Sequence, residues 1–203
     1  MSKINQELLK RAIHEINSQR KERKFLETID LQIGLKDYDT HRDRRFAGSL
    51  QLPHIPKNRY KVIILGDQVH CDQAEELKIP YIDAESLRKF NRQRKPLKKY
   101  FKPYDILLAS DSIIKQIPRL VGPVLSKLNK FPMSITHNDH LLTKIDEAKA
   151  TIKFQLKRPL CMGVGVANVE MDEEYQRQNI NLAVNFIEYK IAVVNNLSLK
   201  GGQ

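Results

Sequence analysis

Two short stretches of this chain carry side chains able to do chemistry, His70-Cys71-Asp72 and His137-Asn138-Asp139-His140. Imidazole, thiolate and carboxylate this close together could ligate a metal or shuttle a proton. Each stretch lacks further ligands at usable spacing, and His137 falls where a helix begins. No Ser-His-Asp or paired-carboxylate arrangement can be assembled from the rest of the sequence. The two cysteines, Cys71 and Cys161, are too few and too far apart for a disulfide framework or a zinc site. They read as reduced thiols. Gly66-Asp67-Gln68 closes an apolar run with neither GxGxxG nor GxxxxGK(S/T), so the phosphate cradle of a nucleotide site is missing. Gly163-Val164-Gly165 sits inside an alternating segment with no helix following, where close packing explains the glycines. The expectation is no enzyme, no metal, no cofactor and no small-molecule substrate.

The cations are a different matter. Lys and Arg number 35 against 24 Asp and Glu, a net charge of +11. Arg88–Lys102, RKFNRQRKPLKKYFK, holds eight basic residues and no acid, with Phe90, Tyr100 and Phe101 interleaved. Such a run repels itself unless a polyanion supplies the counter-charge. Nucleic acid is the favoured partner, with Arg92, Arg94, Lys98 and Lys99 facing it; an exposed helix face and loop is the plainer alternative. Gly122-Pro123 and Phe131-Pro132 mark a second basic loop with Arg119, Lys127 and Lys130. Gln19–Lys24 is a basic turn, either solvated or a phosphate contact. Asp37–Arg45 is polar and basic through Arg42, Arg44 and Arg45. A membrane surface would be the other anionic partner, but no lipidation signal and no Trp anchor supports it. No apolar run approaches the roughly 18 residues of a membrane-spanning helix. MSKINQELLKR lacks the apolar core of a signal peptide. The chain is read as intracellular and soluble.

The elements that must position these groups follow from periodicity. In Lys24–Lys36, Phe25, Ile29, Leu31, Ile33 and Leu35 fall on one side, and Lys24, Thr28, Asp30, Gln32 and Lys36 on the other. That is a strand with one buried and one wet face. Glu27, an acid on the apolar side, is either at the fraying end or held by a basic partner. Phe46–Leu52, Thr151–Lys157 and Met162–Val169 alternate likewise, so both ends of the chain are expected to build one sheet. Ile152, Phe154 and Leu156 point to its core. Its wet face carries Lys24, Thr28, Gln32, Lys36, Lys153 and Gln155, suited to an RNA backbone or merely solvated. Two helices cover the other face: one capped by Ser2, with Ile4, Leu8, Leu9, Ala12, Ile13 and Ile16 on its stripe, and one capped by Asp172, with Ile180, Ala183, Val184, Ile187, Ile191 and Val194. Pro53 and Pro56 form a hinge-like linker. Beyond it, Val62–Leu65 and Ile106–Ala109 are continuous apolar runs, strands covered on both faces, with a shorter one at Tyr81–Asp83. Helical patterns at Gln73–Leu77, Glu85–Phe90, Ile113–Ile117 and Leu141–Ala148 separate or follow them. The fold class is therefore mixed α/β: an α+β domain with an antiparallel sheet from residues 1–57 and 150–203, and an inserted Rossmann-like parallel-sheet domain over 58–149.

Seven separated segments, KFLETIDLQIGLKDYD, RFAGS, LGDQVHCD, YDILLASDSIIKQIPRLVGP, KFP followed by TH, KATIKFQLKRPLC and NLAVNF, resemble the ribosomal protein L-one family of the large subunit, in its eukaryotic cytoplasmic branch. The resemblance implies a two-domain fold and binding to a junction of large-subunit rRNA at the mobile stalk beside the exit site. There the family guides departing deacylated tRNA, a transient partner, beside other ribosomal components. It implies cytoplasmic ribosomes, assembly in the nucleolus and no obligate homo-oligomer. By position, the family's rRNA-contacting motif falls on Lys24, Phe25, Glu27 and Thr28, with Thr151, Lys153 and Gln155 from the returning strand. The Gly-Pro loop of the inserted domain corresponds to Arg119, Gly122 and Pro123. Family members usually end in a Thr-Met-Gly motif that helps hold the RNA. Here Leu199-Lys200-Gly201-Gly202-Gln203 stands in its place, so the expectation is either a weaker RNA grip or one met by Lys200 and the glycine backbone. Three readings follow: a structural constituent of the stalk, a ribosome-assembly factor with the same domain, and an enzyme of the inserted sheet.

Overall fold

The structure, a computed structural model, describes residues 4–21, 23–36, 38, 46–57, 59–156 and 160–200, with side chains up to 192. From the N-terminus run α1 (Gln6–Ser18), β1 (Thr28–Gly34) and β2 (Ala47–Gln51). Next come β3 (Val62–Gly66), α2 (Gln68–Glu76), β4 (Tyr81–Asp83), α3 (Ala84–Lys89) and α4 (Arg94–Phe101). They are followed by β5 (Ile106–Ser110), α5 (Asp111–Ile114), α6 (Ile117–Val121), α7 (Val124–Lys127), β6 (Met133–Ile135) and α8 (Leu141–Ala150). The chain closes with β7 (Thr151–Gln155), β8 (Cys161–Asn168) and α9 (Glu173–Lys200). It divides into two compact units, Met1–Asn58 with Ala150–Gln203, and Arg59–Lys149. The class is mixed α/β, with antiparallel pairing in the first unit and a four-stranded parallel sheet in the second.

In the terminal unit the alternation read from the sequence is what the strands do. Burial switches at every residue of β1, and Leu31 and Ile33 face a core shared with Leu50, Ile152, Phe154, Met162 and Val166. One hydrogen-bonded sheet was expected; among the described residues there are two antiparallel ribbons, β1 with β8 and β2 with β7. The ribbons come close along β7 and β8. Between Ile29 and Asp30 the register shifts, because Val166 is one residue too many in β8. Such a bulge bends its strand. On the other ribbon, a Cβ at Gly48 would lie 2.8 Å from the Phe186 ring of α9. The glycine lets the helix sit directly on β2.

α1 begins at Asn5, whose side chain accepts from the Glu7 N–H at 3.0 Å. The expected cap, Ser2, lies outside the described residues. Of the anticipated stripe, Ile13 is buried, while Leu8 and Ile16 are exposed. The Pro53–Pro56 segment is pinned rather than loose. Asn179 of α9 donates to the His54 carbonyl at 3.0 Å and to Val166 O at 2.8 Å, and Asn168 donates to Pro56 O at 3.2 Å.

In the inserted unit the strand order is β4-β3-β5-β6, all parallel. Alternate residues of β3 enter opposite cores. Ile63 and Leu65 pack with helices α3 to α7, and Val62 and Ile64 with α2 and α8. Strands buried on both sides have no use for polar positions, which is why they read as unbroken apolar runs. The sequence reading missed β6 and α7, each too short to show a period, and α4, hidden in the basic run.

Candidate nucleic-acid interface

Side chains that do not enter the terminal core stand on the opposite face of the ribbons. Thr28, Asp30 and Gln32 of β1, Lys153 and Gln155 of β7, and Ser49 and Gln51 of β2 are all exposed. Ser49 pairs with Lys153 and Ala47 with Gln155 across the β2–β7 ladder. Hydroxyls, amides and ammonium groups thus share one surface. Thr151, only half-buried, opens β7. Although Lys153 is exposed as a residue, neighbouring atoms partly desolvate its ammonium and hold it below lysine's ordinary value. Ser49 and Gln51 were not singled out from sequence, although the period of two in Phe46–Leu52 places them there.

Phe25 does not lie on the strand. It precedes β1 and is 60% exposed, so its expected place on the apolar side is corrected. A turn before the strand frees it from the pleat. The Arg23 guanidinium lies 5.7 Å from the centre of its ring and also pairs with Glu27 at 2.8 Å. Glu27 therefore satisfies both readings given to it: it stands before the strand and has a basic partner. Its carbonyl accepts the Val169 N–H at 3.2 Å, fixing the entry to β1 against the end of β8. Arg23, the organiser of this corner, was missed; its signal was the basic turn Gln19–Lys24 directly before an acid in need of a partner. Lys24 and Lys36 are exposed at the two ends of the segment. The Lys200 side chain, the residues after it, Lys157 and the Arg42, Arg44 and Arg45 cluster lie outside the described residues.

In the inserted unit the basic run folds as the end of α3, a turn and α4. Leu97 and Phe101 are fully buried, and Arg92, Arg94, Lys95, Lys98, Lys99 and Lys102 remain exposed. The aromatic residues thus serve the core first: Phe101 is inside, and Phe90 and Tyr100 are half-buried. Among the described residues, no carboxylate forms an ion pair with any of the eight cations. The second basic stretch is not a loop. α6 ends at Gly122, whose φ of +67° suits a residue without Cβ, and Pro123 follows. Arg119 and Lys127 are exposed. Lys130 instead donates to the carbonyls of Phe101, Lys102 and Tyr104, closing the end of α4.

The histidine stretches form structural networks. His70 is buried, with Nδ1 2.7 Å from the Ser110 hydroxyl, which also accepts the Asp67 N–H at 3.0 Å. Ser112 donates to the Asp67 carboxylate, and the His137 ring stacks on His70 at 4.7 Å. These groups fill the ends of β3 and β5, the crevice where doubly wound sheets take their ligands. Burial pushes the Cys71 thiol up, away from the reactive thiolate. The Thr136 hydroxyl and N–H hold the Asp139 carboxyl below its usual value in the turn before α8. No group of three or more metal-ligating side chains occurs among the described residues.

The class these features define is a two-unit mixed α/β protein with cationic exposed surfaces and no assembled catalytic constellation among the described residues. Its sequence is more specific. Residues 16–200 match the profile of the ribosomal protein L1p/L10e family, and the chain belongs to that family. It is 52% identical to the large ribosomal subunit protein uL1 of Oryza sativa subsp. japonica, over 92% of this chain and 88% of the relative. With uL1z of Arabidopsis thaliana the identity is 50% over the same shares.

Proposed function

We propose that this chain is a structural, non-enzymatic constituent of the large (60S) ribosomal subunit. Family membership and the names of its rice and Arabidopsis relatives support that reading. On it, the wet face of the terminal ribbons binds large-subunit rRNA at the mobile stalk beside the exit site. The inserted unit meets the departing deacylated tRNA transiently and assists its release. The observation that carries the RNA contact is the corner and face made by exposed Lys24, Phe25, Thr28, Lys36, Lys153 and Gln155, with Glu27 and Thr151 half-buried among them. Phe25 offers a ring for stacking, Thr28 and Gln155 reach phosphate or 2′-hydroxyl, and the lysines neutralise phosphate. In the inserted unit, Arg92, Arg94, Lys98, Lys99 and Arg119, with the Gly122-Pro123 backbone, offer the cationic surface. The protein would act without a cofactor, in cytoplasmic ribosomes after assembly in the nucleolus, among other ribosomal components and with no obligate homo-oligomer. Sedimentation of the tagged protein tests this. Co-migration with 60S and 80S particles is expected; confinement to pre-ribosomal particles would make it an assembly factor instead.

A further inference from the structure

Beside the basic helix α4 lies an open cavity of about 490 Å³, lined by Tyr81, Ile82, Asp83, Ser86, Lys89, Phe90 and Tyr100. The volume falls within the roughly 300–1,000 Å³ of small-ligand pockets. We propose that this cavity is a seat for one unstacked RNA base carrying an exocyclic amino group. The inference rests on the reading that the basic surface of the inserted unit faces RNA. Three observations support it.

The walls are aromatic without being closed on themselves. Phe90 and Tyr100 are half-buried, and their rings stand 5.6 Å apart at 51°, tilted rather than stacked. Both residues line the cavity and neither is fully buried, and every base has a π-face to lay on an aromatic ring. The polar groups converge and have capacity to spare. Asp83 uses Oδ1 to cap α3, accepting from the Ala84 N–H at 2.6 Å, and its second oxygen has no hydrogen-bond partner among the described residues. Ser86 adds a hydroxyl with no hydrogen-bond partner among the described residues. A carboxylate oxygen and a hydroxyl lining one cavity suit an amino group on cytosine or adenine, and the carboxylate repels the carbonyl that uracil presents there. The charge around the cavity is that of a backbone-binding surface. Lys89 lines it, and the neighbouring α4 cations have no carboxylate partner among the described residues. A free anionic metabolite would meet Asp83 inside the cavity. A base tethered to its phosphates meets the carboxylate with its neutral edge and leaves the phosphates outside among the cations.

The chain contains no tryptophan, so Phe90→Trp installs a single fluorophore in the cavity wall. The full-length variant is titrated with octamers of cytidylate, of uridylate and of abasic ribose-phosphate. The fluorophore stands in the cavity wall of the inserted unit. The cytidylate octamer should quench the fluorophore and bind about tenfold tighter than the abasic one at the same salt. Uridylate should fall between them. Asp83→Asn, which retains a helix-capping oxygen, should abolish the preference for cytidylate over uridylate. Equal, salt-sensitive binding of cytidylate and abasic octamers would overturn the base seat and leave the RNA-facing surface standing. Absence of any salt-sensitive response, unchanged by neutralising Lys98 and Lys99, would overturn both. A measurement on the native chain guards against a misfolded variant: photo-crosslinking with a 5-iodocytidine octamer should give adducts on peptides carrying Phe90 or Tyr100. Adducts confined to other peptides would contradict the seat.

Discussion

Phe25 stands outside the core beside the Arg23 guanidinium, so its replacement removes a ring that the fold does not use. Phe25→Ala and Thr28→Val should each weaken binding to a stalk-junction RNA fragment by about 1–3 kcal/mol, as a lost stack or hydrogen bond does. The melting temperature should stay near that of the parent chain. Wild-type affinity in either variant, measured by filter binding or calorimetry, would mean that the contact lies elsewhere. Lys153 carries a pH signature. Partial desolvation lowers its folded-state value, so between the folded and unfolded values the unfolded chain binds more protons. Stability therefore rises with pH through that alkaline window. A phosphate placed against the ammonium favours the charged form, so RNA binding takes up a proton there and weakens as pH rises. Lys153→Gln should remove this dependence and make the salt slope of binding shallower by about one. An unchanged slope would place Lys153 away from phosphate.

Among the elements, α4 divides structure from partner most clearly: Leu97 and Phe101 face inward, and Arg94, Lys95, Lys98 and Lys99 face out. Neutralising Arg92, Arg94, Lys98 and Lys99 should leave incorporation into 60S particles nearly intact and change exit-site tRNA occupancy, because exposed charges outside the unit proposed to grip rRNA act mainly through steering and transient contact. Particles that lack the variant would show that the run docks during assembly instead. How legible these elements were depended on what each residue had to satisfy. β1, β2 and β7 have one wet face, so their period of two was plain, and β3 and β5, covered on both sides, showed as apolar runs. Phe25 was placed wrongly because an aromatic residue in phase with a strand looks buried until a turn breaks the phase before Thr28. α4 was hidden because eight cations mask the spacing of Leu97 and Phe101. The split into two ribbons, and the burial of Asn168 and Asn179 against the carbonyls of Pro56 and His54, depend on distant partners, which no local pattern records.

At the scale of the whole molecule, a net charge of +11 implies that affinity for RNA is governed by counterion release. Charge alone does not say which unit grips rRNA, since both present cations. The central claim is that the terminal ribbons do, and that the inserted unit contributes elsewhere. Its most direct test is the affinity of three chains for the stalk-junction fragment across a salt series: the full protein, the terminal unit with residues 57 and 150 joined by a short linker, and residues 59–149 alone. With about six phosphates neutralised, the full chain should give a log–log slope of about −4 or steeper. The joined terminal unit should match both its affinity and its slope, and residues 59–149 should bind far more weakly. Binding by residues 59–149 as tight as that of the full chain would contradict the account.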